Sequence, residues 1–403
     1  MSFLFRIFIV FFVYSVFSLS VEQGASANPP VSCAFGMEES LFNSRYACWG
    51  INPQLEMGVR SGVDVGLKEA HTVVKSMKKT MTRPVVVAVI DTGIDPQHPC
   101  VRDNLYFPQD LIVSSTPPTF STNTLKPFGV DFSQGIGSPS YYPYDFHGHG
   151  THVACLITKV FPAVKLLILK YYNPKASGEA NLQYTIKSLE FLASRNDIDI
   201  INYSGGGPQQ SLEEKVLLEK LTEKKVLVVA AAGNAGANLD LPGQGFFPAS
   251  YTLPSILSVM GHRKDGLPTT SSNRGMRTVD ISAPGDLINS AHVSNFNAFL
   301  TGTSQATPYV TGTAALLKCL YPHLTYEEIH YSIVYGKTGN GQLPNVSSGM
   351  LSIPGAISTA GSVTKPKAIA FYEQRKQFYE ERLRQSQRAI AEEGAPNKIQ
   401  EKK

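Results

Sequence analysis

From Pro84 onward the chain alternates between two hydrophobic patterns. Val85–Ile90 (VVVAVI) is an unbroken, mostly β-branched run, the pattern of a strand buried on both faces. Comparable runs recur at Val164–Leu169, Ile198–Asn202 and Val226–Ala231. Between them, apolar residues at helical spacing predict helices over Leu182–Ser194 and Ser211–Glu223, and a further helix runs from Ser304 to Leu320. Strands alternating with helices predict an α/β fold, a mostly parallel central sheet with helices on both faces. In such sheets the functional site lies beyond the carboxyl ends of the strands. Residues that directly follow the apolar runs are therefore the candidates for chemistry.

Elsewhere the pattern is weaker. In the first twenty residues Arg6 is the only charge, and Ile7–Leu19 is almost wholly apolar. That core is short for a bilayer span, and Ser18-x-Ser20 and Ala25-x-Ala27 offer small residues at a signal peptidase's spacing. The expectation is a cleaved secretory signal over residues 1–27 and a secreted protein; left uncleaved, the segment would tether the same domain outside the membrane. Residues 28 to 83 carry one amphipathic stretch, Val65–Met77. A Pro/Ser/Thr/Tyr-rich stretch, 110 to 144, reads as a long surface insertion. The regular pattern ends near Ile357, and Thr364–Lys367 reads as a linker. The tail, 359–403, is highly charged, with Tyr372, Tyr379, Leu383 and Ile390 at helical spacing. It reads as a solvated helix that docks on something or self-associates, the alternative being a disordered tail.

Composition narrows the class. Apolar residues make up 42% and charged residues 17%, which suits a soluble globular protein with a sizeable core. The net charge of +4 is spread along the chain, with no basic stripe interleaved with aromatics, so nucleic acid is excluded as a partner. Five cysteines, Cys33, Cys48, Cys100, Cys155 and Cys319, fit no zinc spacing, so no metal site is expected from them. Export permits disulfides, and an odd count leaves at least one thiol unpaired within a monomer. Cys33 and Cys48, close together in a loop-rich segment, are the expected pair. Cys155 and Cys319 fall in apolar helical patterns and read as free buried thiols.

Four segments carry chemistry. AVI-Asp91-Thr92-Gly93-Ile94-Asp95 places an acid at the end of a buried strand. His147-Gly148-His149-Gly150-Thr151-His152-Val153-Ala154 opens an apolar helix. Gly233-Asn234 puts a side-chain amide beyond another strand, and Gly302-Thr303-Ser304-Gln305-Ala306-Thr307-Pro308 places a serine at a helix head. A serine hydroxyl is a poor nucleophile until a base takes its proton, and that base is usually a histidine held in one tautomer by a buried carboxylate. A side-chain amide suits an oxyanion hole. Taken singly, a strand-terminal Asp is often a turn residue and a Ser before a helix an N-cap. The histidines do not have the H-E-x-x-H arrangement of zinc peptidases. Chance does not account for all four segments in the order Asp, His, Ser.

On these motifs residues 48–358 resemble the subtilisin-like serine proteases. D-T-G-I-D, H-G-T-H-V-A, A-A-A-G-N and G-T-S-x-A-T-P are the most specific markers. The resemblance implies a three-layer subtilisin-like α/β fold and a serine endopeptidase that cleaves polypeptides through an acyl-enzyme. It implies Asp91 as orienting acid, His149 as general base and acid, Ser304 as nucleophile and Asn234 as oxyanion donor. It also implies that Ser204, Gly205 and Gly206 pair with substrate and wall its first pocket, with Ala231 and Gly233 on the opposite wall. Bare walls there suggest an open pocket for large apolar side chains. The class alternative is a catalytically inactive secreted binding protein, disfavoured because every chemical residue is retained. A relative using a carboxylate in place of histidine is disfavoured by His149.

Three positions depart from the family pattern. Gln305 replaces the usual Met after the nucleophile, and Cys155 replaces a Gly common after H-V-A. Cys100 stands after His98-Pro99, where many members carry an Asp that binds calcium. No cofactor is required, and a thiol there puts the usual calcium site in doubt. Trp49-Gly50-Ile51-Asn52 and Gly62-Val63-Asp64-Val65 resemble the start of the catalytic domain. Only the short extension 28–47 precedes them, too little chain to fold alone. The expectation is no separately folded pro-domain and an extension that stays attached, pinned by a Cys33–Cys48 bridge.

Overall fold

The computed structural model describes residues 30–114, 126–134, 140–251, 253–339 and 343–393. The proposed signal segment 1–27 lies outside the described residues. The described residues begin with β1 (Val31–Ser32), pass through α1 (Leu67–Met77) and return as β2 (Thr80–Met81), which pairs antiparallel with β1. Next comes β3 (Val86–Asp91), wholly buried. Because successive side chains of a strand face opposite ways, Val87 and Val89 enter the core on one face, and Val86, Ala88 and Ile90 that on the other. This is why the run shows no polar alternation.

The alternating pattern continues through α2 (Gln109–Ser114), β4 (Gly129–Asp131), α3 (His149–Val160), β5 (Lys165–Lys170), α4 (Gly178–Ala193), β6 (Ile200–Tyr203), α5 (Leu212–Glu223) and β7 (Leu227–Ala231). Then follow β8 (Ile256–His262), β9 (Ile281–Pro284) and an antiparallel hairpin of β10 (Ile288–His292) and β11 (Phe296–Leu300). The described residues close with α6 (Thr303–Leu320), α7 (Tyr326–Tyr335), α8 (Ile353–Ala360) and α9 (Lys365–Glu393). Seven strands form one parallel sheet in the order β4-β5-β3-β6-β7-β8-β9. The core on one face includes α3 and α6, and that on the other includes α4 and α5. This is the three-layer α/β arrangement the alternation predicts. Helix starts follow local chemistry: Ser177, Ser211 and Thr325 cap α4, α5 and α7, the last within a capping box closed by Glu328.

Several expectations are corrected. The stretch 110–144 is not wholly a surface insertion, because Gly129–Asp131 form the buried edge strand β4 and Phe128 is fully buried. Three residues are too few to show a period. Thr364–Lys367 is no linker, since α9 begins at Lys365, and Ala368 and Phe371 are buried. Tyr372 bonds His330 of α7 through its hydroxyl. The side chains of Tyr379, Leu383 and Ile390 lie outside the described set.

The cysteine pairing also differs. Cys33 bonds Cys319 and Cys100 bonds Cys155, leaving Cys48 as the free thiol. Pairing with β2 carries the β1 end, and with it Cys33, to the far end of α6. Cys48 instead meets Tyr309 Oη of that helix at 2.8 Å. Ten residues of helix separate Tyr309 from Cys319, about 15 Å at 1.5 Å per residue. Closeness in sequence was therefore the wrong guide. Cys155 and Cys319 are half-cystines rather than free thiols. Residues Met37, Phe42 and Tyr46 are buried in the same core as α3 and α6. Among the described residues no helix is long and apolar enough to cross a membrane.

Candidate active site

The carboxyl ends of β3, β6 and β7 bring the candidates together with the first turns of α3 and α6. Asp91 ends β3 and is 2% exposed. Its Oδ1 accepts from Thr92 N at 2.7 Å and from His149 Nδ1 at 2.7 Å. His149 is the first residue of α3. Gly150 is required by close approach: a Cβ there would lie 2.1 Å from Gly93 O. The other two histidines do different work. His152 is buried and donates through Nε2 to Ile288 O (3.0 Å) and Ala298 O (3.2 Å), fixing the β10–β11 hairpin. His147 packs edge-on to Tyr172.

Asp145, missed in the sequence, builds the approach to His149. Its Oδ1 accepts from His147 N, Gly148 N and Thr92 Oγ1, and its Oδ2 from Thr151 N and Oγ1. A carboxylate at a helix N-terminus satisfies backbone donors that would otherwise lack partners. No motif marked it, because its role depends on the turn that returns the chain to β3. Burial lowers the affinity of His149 for a proton, but the charge and hydrogen bond of Asp91, with Asp145 behind, outweigh it. The net pKa of His149 lies above the ordinary histidine value of 6.5. His152, without a carboxylate partner, is pushed by burial down to about 4.

Ser304 is the second residue of α6. Its Oγ donates to Ser204 O at 2.9 Å, and its carbonyl accepts from Ser204 Oγ at 3.1 Å. Beneath this pair, Thr311 Oγ1 donates to Asn202 Oδ1 (2.7 Å), and Asn202 Nδ2 donates to Ser204 Oγ (3.0 Å). The Asn234 carbonyl oxygen accepts from Thr303 N (2.9 Å) and Thr303 Oγ1 (3.1 Å), so its Nδ2 is turned the other way. Gly233 N donates to Thr303 Oγ1 at 3.1 Å. Asn273, a second residue the sequence did not reveal, holds this loop: its Oδ1 accepts from Ala235 N and Ala237 N, and its Nδ2 donates to Ala232 O.

Ser204, Gly205 and Gly206 follow β6 on one side of the Thr303–Ser304 pair, and Ala231 and Gly233 lie at the end of β7 on the other. Gln305 is 2% exposed, and its Nε2 has no hydrogen-bond partner among the described residues. Cys100 is bonded to Cys155, so it is not the thiol expected from the sequence.

Comparison with known proteins agrees with this architecture. Residues 82–350 match the model of the subtilase family of S8 peptidases. Subtilisin DY of Bacillus licheniformis is 30% identical over 281 residues, 68% of this chain and 90% of that protein. An intracellular serine protease of Paenibacillus polymyxa is 29% identical over 307 residues, 72% of this chain and 86% of the other. A cold-adapted subtilisin-like serine proteinase of known structure superposes with a TM-score of 0.53 at 24% identity, over 66% of this chain and 88% of that one. The chain belongs to the subtilase family. Subtilases are serine endopeptidases, so this protein hydrolyses peptide bonds and its substrates are polypeptides.

Proposed function

We propose that Ser304 is the nucleophile of this endopeptidase, His149 its general base and then acid, and Asp91 the residue that orients His149. The observation that carries the reading is the buried Asp91 carboxylate bonded to His149 Nδ1. That bond fixes the proton on Nδ1 and leaves Nε2 as the base. In the unliganded chain Ser304 Oγ donates to Ser204 O, and attack requires it to turn towards Nε2. Ser304 Oγ then adds to the scissile carbonyl as its proton passes to Nε2. Asn234 Nδ2 and Ser304 N, at the start of α6, donate to the oxyanion. Collapse expels the amine, which takes the proton from His149; water then hydrolyses the acyl-enzyme by the same route. Ser204, Gly205, Gly206, Ala231 and Gly233 bind the substrate backbone between them. No cofactor takes part in the reaction, and any bound calcium would be structural.

Two further readings accompany this one. Export is supported by two disulfides and by the apolar segment at residues 7–19. Retention of residues 30–47 is supported by their burial in the main core and the Cys33–Cys319 bond. The test of the mechanism is Ser304→Ala: turnover of a peptide p-nitroanilide should be abolished while melting temperature stays close to wild type. A variant that keeps wild-type turnover contradicts the assignment.

A further inference from the structure

The two walls that should flank the pocket for the residue on the acyl side of the scissile bond do not face an open gap. Phe246 reaches between them. A Cβ built on Gly233 would meet Phe246 Cγ at 2.6 Å and Cδ2 at 2.7 Å, and one built on Gly206 would meet Cε1 at 2.8 Å. One ring therefore touches both walls, its near end against Gly233 and its far end against Gly206. Both glycines have positive φ, 97° and 140°, and a side chain on either would strike the ring, besides Asn273 Nδ2 at 2.6 Å from Gly233 and the Phe247 carbonyl oxygen at 2.2 Å from Gly206. The space between the walls is thus not the open pocket the sequence suggests, because Phe246 lies in it.

The ring is firmly placed. Phe246 N donates to Ser250 Oγ at 3.0 Å, and Phe246 O accepts from Ser250 N at 2.8 Å. The next residue, Phe247, pairs with Gly207 in both directions, at 3.0 and 2.7 Å, which fastens the loop to the wall that starts at Ser204. The ring also packs on the cluster of Ala232, Leu239, Met260 and Val279. A large substrate side chain would have to displace it, and forcing extra volume into a packed site is unfavourable.

We propose that Phe246 determines the specificity of this protease, limiting the residue on the acyl side of the scissile bond to Gly, Ala or Ser. The proposal rests on the reading of Ser304 and Asn234 as the catalytic groups that hold the scissile carbonyl. Both walls start at hydrogen bonds to the Thr303–Ser304 pair, so the side chain preceding that carbonyl enters between them.

The test uses two tetrapeptide p-nitroanilides, identical except for Ala or Phe before the scissile bond. The full-length wild type should favour the Ala substrate in kcat/KM by roughly 10–200-fold, the range a hydrophobic pocket achieves by size. Phe246→Ala should raise kcat/KM for the Phe substrate relative to that for the Ala substrate by a similar factor. Since the ring also packs on the cluster around Ala232 and Leu239, Phe246→Val serves as a second variant that keeps part of this contact, and the wild-type ratio needs no variant at all. A wild type that cleaves the Phe substrate as fast as the Ala substrate overturns the proposal, as do folded variants with an unchanged ratio. If Ser304→Ala is inactive and the ratio does not move, the specificity assignment alone fails. If Ser304→Ala still cleaves both, the catalytic reading beneath it fails too.

Discussion

Asp91 and His149 meet through a single carboxylate oxygen: Asp91 Oδ1 accepts from His149 Nδ1 at 2.7 Å while also holding Thr92 N at 2.7 Å. The backbone bond fixes the carboxylate, and the carboxylate fixes the ring. Asp91→Asn keeps the shape but presents an amide that allows the wrong histidine tautomer. It should lower kcat by about 10⁴ at neutral pH, with a far smaller effect on KM. Steady-state kinetics on one peptide substrate checks this.

The same pair sets the pH dependence. The pKa of His149 is raised above 6.5 by Asp91 and Asp145 despite burial. Only the neutral ring accepts the proton of Ser304, so activity should rise with pH through a midpoint above that value. Replacing Asp145 with Asn removes one of the raising charges and should move the midpoint down. A kcat/KM profile of both proteins decides it; an acidic optimum below pH 5 contradicts the mechanism.

Asn234 is aimed by Thr303, and its loop is held by Asn273. Asn234→Ala should lower kcat by about 10²–10³ with little change in KM, the loss expected for one oxyanion donor. Asn273→Ala leaves Asn234 itself intact but removes three bonds to its loop. It should lower both kcat and melting temperature, whereas Asn234→Ala lowers kcat alone. Kinetics alongside thermal melts separates the two.

Much of the candidate site was legible because its residues directly follow buried strands or open helices, where local pattern alone places them. Asp91 after VVVAVI, and Ser304 before the apolar run to Leu320, needed no tertiary knowledge. Asp145 and Asn273 were not legible, since each acts by bonding backbone groups that only the fold brings within reach. Phe246 shows the same limit. The glycines on either side of it were visible, but the ring that fills the space between them lies in a loop with no period. The disulfides failed for a related reason, because Cys33–Cys319 joins residues 286 apart in sequence.

That pairing has its own test. Denatured without reductant, the chain should yield one reactive thiol, and peptide mapping should link Cys33 to Cys319 and Cys100 to Cys155. In the native state Cys48 should stay unreactive, since it is buried and its thiol pKa is pushed up to about 11 by burial. Losing either bridge should cost about 2–5 kcal/mol of stability. A Cys33–Cys48 peptide would refute the pairing.

The Cys33–Cys319 bond also predicts the mature chain. Met37, Phe42 and Tyr46 fill the core beside α3 and α6, so residues 30–83 should remain in the active enzyme. Intact masses of wild type and Ser304→Ala should agree over this region. Loss of the whole segment from wild type alone would identify it as a propeptide instead.

Whether Ser304 is the nucleophile is decided by covalent labelling. Wild type is treated with a fluorophosphonate at neutral pH, digested, and the modified residue located by mass spectrometry. One adduct per chain is expected, on Ser304, forming in step with loss of activity, and none in Ser304→Ala. Slower labelling is expected of Asp91→Asn, whose histidine no longer takes the proton. An adduct on any other residue, or full inactivation with Ser304 unmodified, would show that Ser304 is not the nucleophile.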